Sequence, residues 1–311
     1  MDHFKTVVIV NPNSGGGSTG RHEGEIKDEV RRVLPDAEFA DTAGPGDATI
    51  LARKALKAGA EMVVAVGGDG TNNEVINGFF EDGAPINPDA VFFTIPRGTG
   101  GDFRKTAGIP NDVQKACAML PGRNAHPIDV GHMTLVGRDG KPTERYFINI
   151  ASCGVGGKVA DWVERLPKSK LGGKATFFYA TIRAMLEYHN APVRIRVDDK
   201  DLGEMRIFSM AIANGQFFGG GMHFAPMAAL DDGLFDVVIM GDLSRWQKWT
   251  QGASVYKGEH LKKANVEHHR AKRVEVTSEE KVYHEIDGEG LGTLPSVYTL
   301  LPGAVRLKQA P

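Results

Sequence analysis

The chain has 311 residues, a formal net charge of −2 and 41% apolar residues, enough for two ordinary domains with separate cores. The near-neutral charge excludes a global basic field for nucleic acid, and no run of about 18–20 uncharged apolar residues offers a bilayer span. Cys117 and Cys153 stand far apart in no metal-ligand spacing, which argues against a disulfide framework and for a reducing, cytoplasmic setting. Residues Met1–Val10 lack the basic and long apolar regions of a signal peptide.

Thr6–Val10 is β-branched and reads as a buried strand. A Gly-rich stretch, Asn11–Gly20, follows, then a helix over His22–Leu34. Asp47–Ala58 is predicted helical with Asp47 as N-cap. Met62–Val66 and Val91–Ile95 are two further buried strands, each running into glycines, with helices predicted over Thr71–Phe80 and Asp112–Leu120. Strand, loop and helix in alternation imply an α/β domain with a mostly parallel sheet, whose ligands bind beyond the carboxyl ends of the strands. After Pro127 the pattern changes. Tyr146–Ile150, Val193–Val197, Arg206–Ala213, Phe235–Met240, Arg273–Thr277 and Val297–Leu301 read as strands. One clear helix covers Lys174–His189. Short strands with few helices predict an all-β, antiparallel second domain. The division predicted is 1–126 and 127–311, with the last dozen or so residues returning to the first domain.

The 39 glycines are clustered, and clusters at strand ends imply backbone held close to a ligand. Gly67-Gly68-Asp69-Gly70-Thr71 follows the second strand. Its glycines allow a tight turn with N–H groups near phosphate oxygens, and the helix that follows adds a positive N-terminal end. Asp69 within such a loop suits a divalent cation or a hydroxyl nucleophile. Alone, the motif reads equally as a turn with Asp69 as a helix cap. Asn11 to Gly17 is a second loop, with Ser14, Gly15 and Gly16 able to face phosphates. It is neither a Walker A motif nor a dinucleotide fingerprint. The third loop, Pro96-Arg97-Gly98-Thr99-Gly100-Gly101-Asp102, adds the Arg97 guanidinium, the Thr99 hydroxyl and a second acid. Three phosphate-suited loops on three successive strands form a constellation that single turns do not.

That constellation resembles the diacylglycerol kinase catalytic-domain family, which includes bacterial lipid kinases and sphingosine and ceramide kinases. The resemblance rests on GGDGT and PxGTxxD and extends over most of the chain. Ile128-Asp129-Val130-Gly131, Phe147–Gly157, Ala213-Asn214-Gly215, Asp231–Asp236 and Ile286-Asp287-Gly288-Glu289 are similar to the family's later motifs. One departure is Gly101, where the family usually has Asn. The resemblance implies a phosphofructokinase- and NAD kinase-like α/β nucleotide domain followed by a C-terminal β-sandwich domain for a lipid substrate. It implies ATP and Mg²⁺ as cofactors, and transfer of phosphate to the hydroxyl of a lipid such as diacylglycerol or a sphingoid or ceramide-type lipid, at the membrane surface.

Glu289 of D-G-E is then the expected catalytic base, with Asp69 beside the phosphates and metal. Asn11, Ser14, Gly15, Gly16, Gly67, Gly68, Gly70, Thr71, Arg97, Gly98 and Thr99 are the expected nucleotide contacts. The resemblance also implies a structural Mg²⁺ around Asp231, Asp232 and Leu234, although Asp at the start of a β-turn fits these residues too. Asp129 either joins that network or caps a strand. His268 and His269 read as a solvated face. Phe217 and Phe218 suit either an acyl pocket or the core, and Trp162, Trp246 and Trp249 are candidate interfacial anchors. An exposed sheet edge offers a route to a homodimer. The competing readings are an NAD kinase-like enzyme acting on a soluble dinucleotide, which shares GGDGT, and a nucleotide-binding regulator without chemistry.

Overall fold

The structure, a computed structural model, describes residues 3–98, 100–166 and 173–310. It divides into two compact units, Met1–Val130 with Pro302–Pro311, and Gly131–Leu301.

In the first unit, β1 (Thr6–Val10) leads through α1 (Ser14–Arg21) and α2 (Glu23–Val33) to β2 (Glu38–Asp41). Helix α3 (Asp47–Lys57) precedes β3 (Met62–Gly67), and α4 (Asp69–Asn77) precedes β4 (Val91–Pro96). Short helices α5 (Asp102–Thr106) and α6 (Val113–Cys117) follow. The strands are parallel in the order β4–β3–β1–β2, and residues 306–307 of the final strand run parallel beside β4. Val8, Ile9, Val63, Val64, Phe92 and Phe93 are fully buried. A parallel sheet covered on both faces requires this, which is why its strands read as continuous apolar runs rather than alternations. Helix α3 turns Ala48, Ala52 and Leu56 inward, and burying a leucine-sized side chain contributes about 1.5–3 kcal/mol.

The second unit holds two sheets. The chain enters on β5 (Ala125–Gly137), which pairs antiparallel with β6 (Pro142–Phe147). Strand β7 (Ile150–Gly154) leads to α7 (Val155–Arg165) and α8 (Gly173–Glu187), then β8 (Ala191–Val197), β9 (Lys200–Ile207) and β10 (Ser209–Ala213). Next come β11 (Phe235–Met240), α9 (Arg245–Tyr256), β12 (Val266–Ala271), β13 (Arg273–Thr277), β14 (His284–Ile286) and β15 (Gly292–Lys308). Strands β9–β8–β13–β15 make one antiparallel series, and β12–β11–β10–β7–β14 make the other. Val193, Ile195, Val276 and Tyr298 of the first sheet share one buried cluster with Cys153, Met210, Ile212 and Val237 of the second. Phe147 stacks on Phe235 inside it, with ring centroids 5.6 Å apart. This is the packing of a β-sandwich. The outer face of the second sheet packs Ala211 and Val238 against Phe224, Leu243 and Val255.

Arg206–Ala213 is not one strand: β9 ends at Ile207 and β10 begins at Ser209 in the other sheet. Gly46, not Asp47, is the N-cap of α3; the Asp47 carboxylate reaches back to the N–H groups of Ala43 and Gly44 at 2.7 and 3.0 Å. The second unit holds α7 and α9 besides α8. His268 does not face solvent freely, because its Nε2 lies 2.6 Å from Oδ1 of the buried Asp236. Phe218 belongs to the core, and Trp162 is tied to Glu187 at 3.0 Å. Both cysteines are free and buried, and burial pushes each thiol up to about 12. Among the described residues no helix is long and apolar enough to cross a membrane.

Candidate functional site

In the first unit the three glycine-bearing loops follow β1, β3 and β4, neighbours in the parallel sheet, and they are bonded to one another. Asn11 follows β1; its N–H donates to Val66 O at 3.0 Å and its Nδ2 to Thr71 Oγ1 at 2.9 Å. Arg97 N donates to Gly67 O at 2.7 Å. The second and third loops touch backbone to backbone: a Cβ on Gly98 would lie 2.6 Å from Gly68 Cα. Ser14 Oγ donates to Asn11 O at 2.9 Å and lies 2.6 Å from Thr19 Oγ1. Thr19 Oγ1 reaches Arg97 O at 3.5 Å, closing the third side. Gly15, Gly16 and Gly17 have φ of 59°, 66° and 77°. A run of left-handed residues costs L-residues about 1–2 kcal/mol each, so this turn demands glycine, which has no Cβ. Arg97 lies alongside, with Nη2 3.5 Å from Ser18 O and a buried Nε that has no partner. Thr99 lies outside the described residues.

Asp69 opens α4, and its carboxylate faces the start of α5. It accepts from Asp102 N at 3.1 and 3.2 Å and from Phe103 N at 3.3 Å. Burial, then the nearby Asp102 charge, raise its pKa against the pull of these N–H groups. Both acids flank Gly100, where a Cβ would sit 3.1 Å from Asp69 Oδ2 and 3.7 Å from Asp102 Oδ2. Lys105 holds the other Asp102 oxygen at 2.8 Å. Two crowded carboxylates, one with a raised pKa, form a donor set that fits a hard cation completed by phosphate and water. Glu74, four residues beyond Gly70, has a structural role: its carboxylate accepts from Gly46 N and Ala48 N at 2.9 and 3.1 Å.

In the second unit the D-G-E residues form a tight turn. Ile286 and Glu289 exchange backbone hydrogen bonds of 2.9 Å each, and Asp287 and Gly288 have φ of 48° and 94°. Two positive φ values define the hairpin turn that Asp-Gly favours. Asp287 is buried and grips the start of β7, accepting from Ile150 N at 3.0 Å and donating to Ile150 O at 3.0 Å. Glu285 accepts from Ser152 Oγ at 2.7 Å and from Gly288 N at 2.6 Å, which fixes the turn from behind. Asn149 O accepts from Asn214 N and Gly215 N at 2.8 and 2.9 Å, and Asn214 Nδ2 donates to Ile148 O at 2.9 Å. Three sequence motifs, at 147–157, 213–215 and 286–289, thus converge. Asn149 Oδ1 is buried there without a partner. Sequence reasoning passed over Glu285 and Thr19. Glu285 had a signal, an acid two residues before Asp287; Thr19 had none.

Asp129 is buried and accepts from Gly303 N at 2.8 Å, anchoring the return of β15 to the first unit. Asp231 is exposed. Asp232 accepts from Leu234 N at 3.1 Å and pairs with Arg270. A cation at Asp231, Asp232 and Leu234 would have to displace that guanidinium. Among the described residues no three His, Cys, Asp or Glu side chains group as metal ligands.

Residues 5–133 match the model of the diacylglycerol kinase catalytic domain, and residues 149–309 that of the YegS C-terminal NAD kinase beta sandwich-like domain. A diacylglycerol kinase of Bacillus subtilis (strain 168) is 30% identical over 94% of this chain and 92% of its own length. One from Staphylococcus carnosus (strain TM300) is 31% identical over 93% and 90%. A crystal structure of a Bacillus anthracis str. Sterne diacylglycerol kinase superposes with a TM-score of 0.72 at 23% identity, covering 100% of this chain and 99% of that one. That likeness concerns the fold.

Proposed function

The chain belongs to the diacylglycerol kinase catalytic-domain family and is a kinase; from that premise we propose that it transfers the γ-phosphate of ATP to the hydroxyl of a membrane lipid, most simply diacylglycerol, giving phosphatidic acid. The observation that carries this reading is the bonded set of three strand-end loops with Asp69 at its edge.

Phosphoryl transfer asks the protein for alignment, charge neutralisation and a proton acceptor. The first unit would take the nucleotide on Asn11, Ser14, Gly15, Gly16, Gly67, Gly68, Gly70, Thr71, Gly98 and Thr99. The unpaired Arg97 Nε supports a guanidinium kept for a phosphate oxygen. Asp69, helped by Asp102, would hold Mg²⁺, which when bound neutralises phosphate charge. The second unit would carry the acceptor side. Glu289 is the proposed base: an alkyl hydroxyl is a weak acid, so its proton would pass to the Glu289 carboxylate as the new P–O bond forms and the bond from the γ-phosphorus to the bridging oxygen breaks, ADP leaving. Asp287 and Glu285, by fixing the turn, would keep that carboxylate in place. A lipid acceptor would bring the enzyme to the membrane surface.

A second reading, phosphorylation of NAD, draws on the NAD kinase-like sandwich match. Transfer of ³²P from γ-labelled ATP to a panel of lipids in mixed micelles, with NAD alongside, separates the two. Labelled lipid supports the first reading; labelled NAD without labelled lipid replaces it.

A further inference from the structure

A cavity of about 420 Å³ opens in the second unit beside Arg206 and the first turn of α9. It is not the D-G-E cluster. Arg206 stands just before β10, whereas Asn214 follows that strand's far end, about 3.4 Å per residue away along β10.

The cavity has an excess of cations. Arg206, Arg245 and Lys248 line it against a single carboxylate, Asp242, whose Oδ1 already accepts from Asn190 Nδ2 at 2.5 Å. Lys248 is only 8% exposed. Its Nζ donates to Tyr188 O at 2.9 Å and lies 5.7 and 5.4 Å from the Tyr188 and Phe208 ring centroids. Among the described residues no carboxylate lies within ion-pair distance of it. Burial lowers the Lys248 pKa against the attraction of Asp242, since a buried charge is costly unless closely paired. Ser244 caps α9 with a full capping box, so the positive end of a twelve-residue helix adds to the field. Arg206 Nη2 donates to Asn190 O at 2.5 Å, which fixes that guanidinium at the cavity wall.

We propose that this cavity binds a phosphate ester, its phosphate held by Arg206, Arg245 and Lys248. A soluble sugar- or glycerol-type phosphate and a phospholipid headgroup share this chemistry. Leu186 at the cavity, 64% exposed, and Trp246 beside Arg245, 77% exposed, offer apolar surface next to it.

The test uses the full chain with saturating non-hydrolysable ATP analogue, so that a nucleotide site is filled. Glycerol 1-phosphate is titrated by calorimetry, with glycerol as control; flotation on phosphatidylglycerol and phosphatidylcholine vesicles forms the second arm. Saturable binding of the ester but not of glycerol, or flotation on the anionic vesicles alone, is expected. Arg245→Gln, an exposed change that leaves the core untouched, should weaken it roughly tenfold, as loss of one charged hydrogen bond does. Lys248→Met should weaken it at least as much. Ester binding identifies a soluble ligand; vesicle binding without ester binding identifies the headgroup. Absence of both, or binding unchanged in Arg245→Gln, overturns the proposal. Neither arm reads phosphoryl transfer, and vesicle binding that comes from the lipid-acceptor side of the proposed function would be unchanged in Arg245→Gln.

Discussion

Replacing Asp69 tests whether one carboxylate serves both architecture and chemistry. Oδ1 alone accepts from both Asp102 N and Phe103 N, at 3.1 and 3.3 Å. An asparagine can place its single carbonyl oxygen there and keep both bonds, losing only the second arm from Asp102 N to Oδ2 at 3.2 Å, where its amide nitrogen would stand. It also removes a charge that burial and Asp102 disfavour. The sign follows. A carboxyl with a raised folded pKa stabilises the fold fully below its unfolded pKa, and that contribution is lost as pH rises through the folded value. At neutral pH, Asp69→Asn should therefore match or exceed wild-type stability, the difference shrinking as the wild-type acid protonates. Asp69→Ala has no acceptor and leaves two N–H groups at the start of α5 to water, a loss of about 1–3 kcal/mol. Urea unfolding at neutral pH measures both, and ATP-dependent phosphoryl transfer should vanish in both. An asparagine variant destabilised as much as the alanine variant would refute the acceptor geometry. One that retained transfer would remove Asp69 from the chemistry.

Glu74→Ala should cost about 1–2 kcal/mol, as loss of a helix N-terminal acceptor does, with little change in kcat once the protein is folded; a kcat collapse would contradict the structural reading. Gly98→Ala would push its Cβ to 2.6 Å from Gly68 Cα, so nucleotide affinity measured by calorimetry should fall tenfold or more, and unchanged affinity would dissociate the loops from the nucleotide. His284, fully buried and 3.1 Å from Tyr298 Oη, has its pKa pushed down by burial to about 3. The unfolded state binds a proton near pH 6.5 that the fold refuses. Stability should thus be complete above about pH 6.5 and fall on acidification toward 3 by up to about 1.4 kcal/mol per pH unit, a slope that His284→Asn should flatten in denaturant titrations.

The readable parts of the chain were those where composition alone expresses the constraint. Thr6–Val10, Met62–Val66 and Val91–Ile95 are buried on both faces, so nothing but apolar β-formers fits them. Strand β2, half-exposed at the sheet edge, and β12, with the sequence VEHHRA, carry no comparable pattern. The break between β9 and β10 was hidden because apolar residues continue through Phe208 while the chain changes sheets. At the site, glycine marks where backbone must turn or approach, so the loops were visible. Their partners were not: Asp69 reaches an N–H group 33 residues away and Asp287 one 137 residues away, and no local spacing encodes such pairs. The Asp232–Arg270 pairing, 38 residues apart, was hidden for the same reason.

The most direct test of the central claim is ³²P transfer from γ-labelled ATP to diacylglycerol in Mg²⁺-containing mixed micelles, comparing wild type with Glu289→Gln. The account predicts labelled phosphatidic acid from the wild type and, with the general base removed, a rate lower by about 10²–10⁴ in the variant. Equal rates would remove Glu289 as the base, and a wild type that labels no lipid would contradict the lipid kinase reading itself.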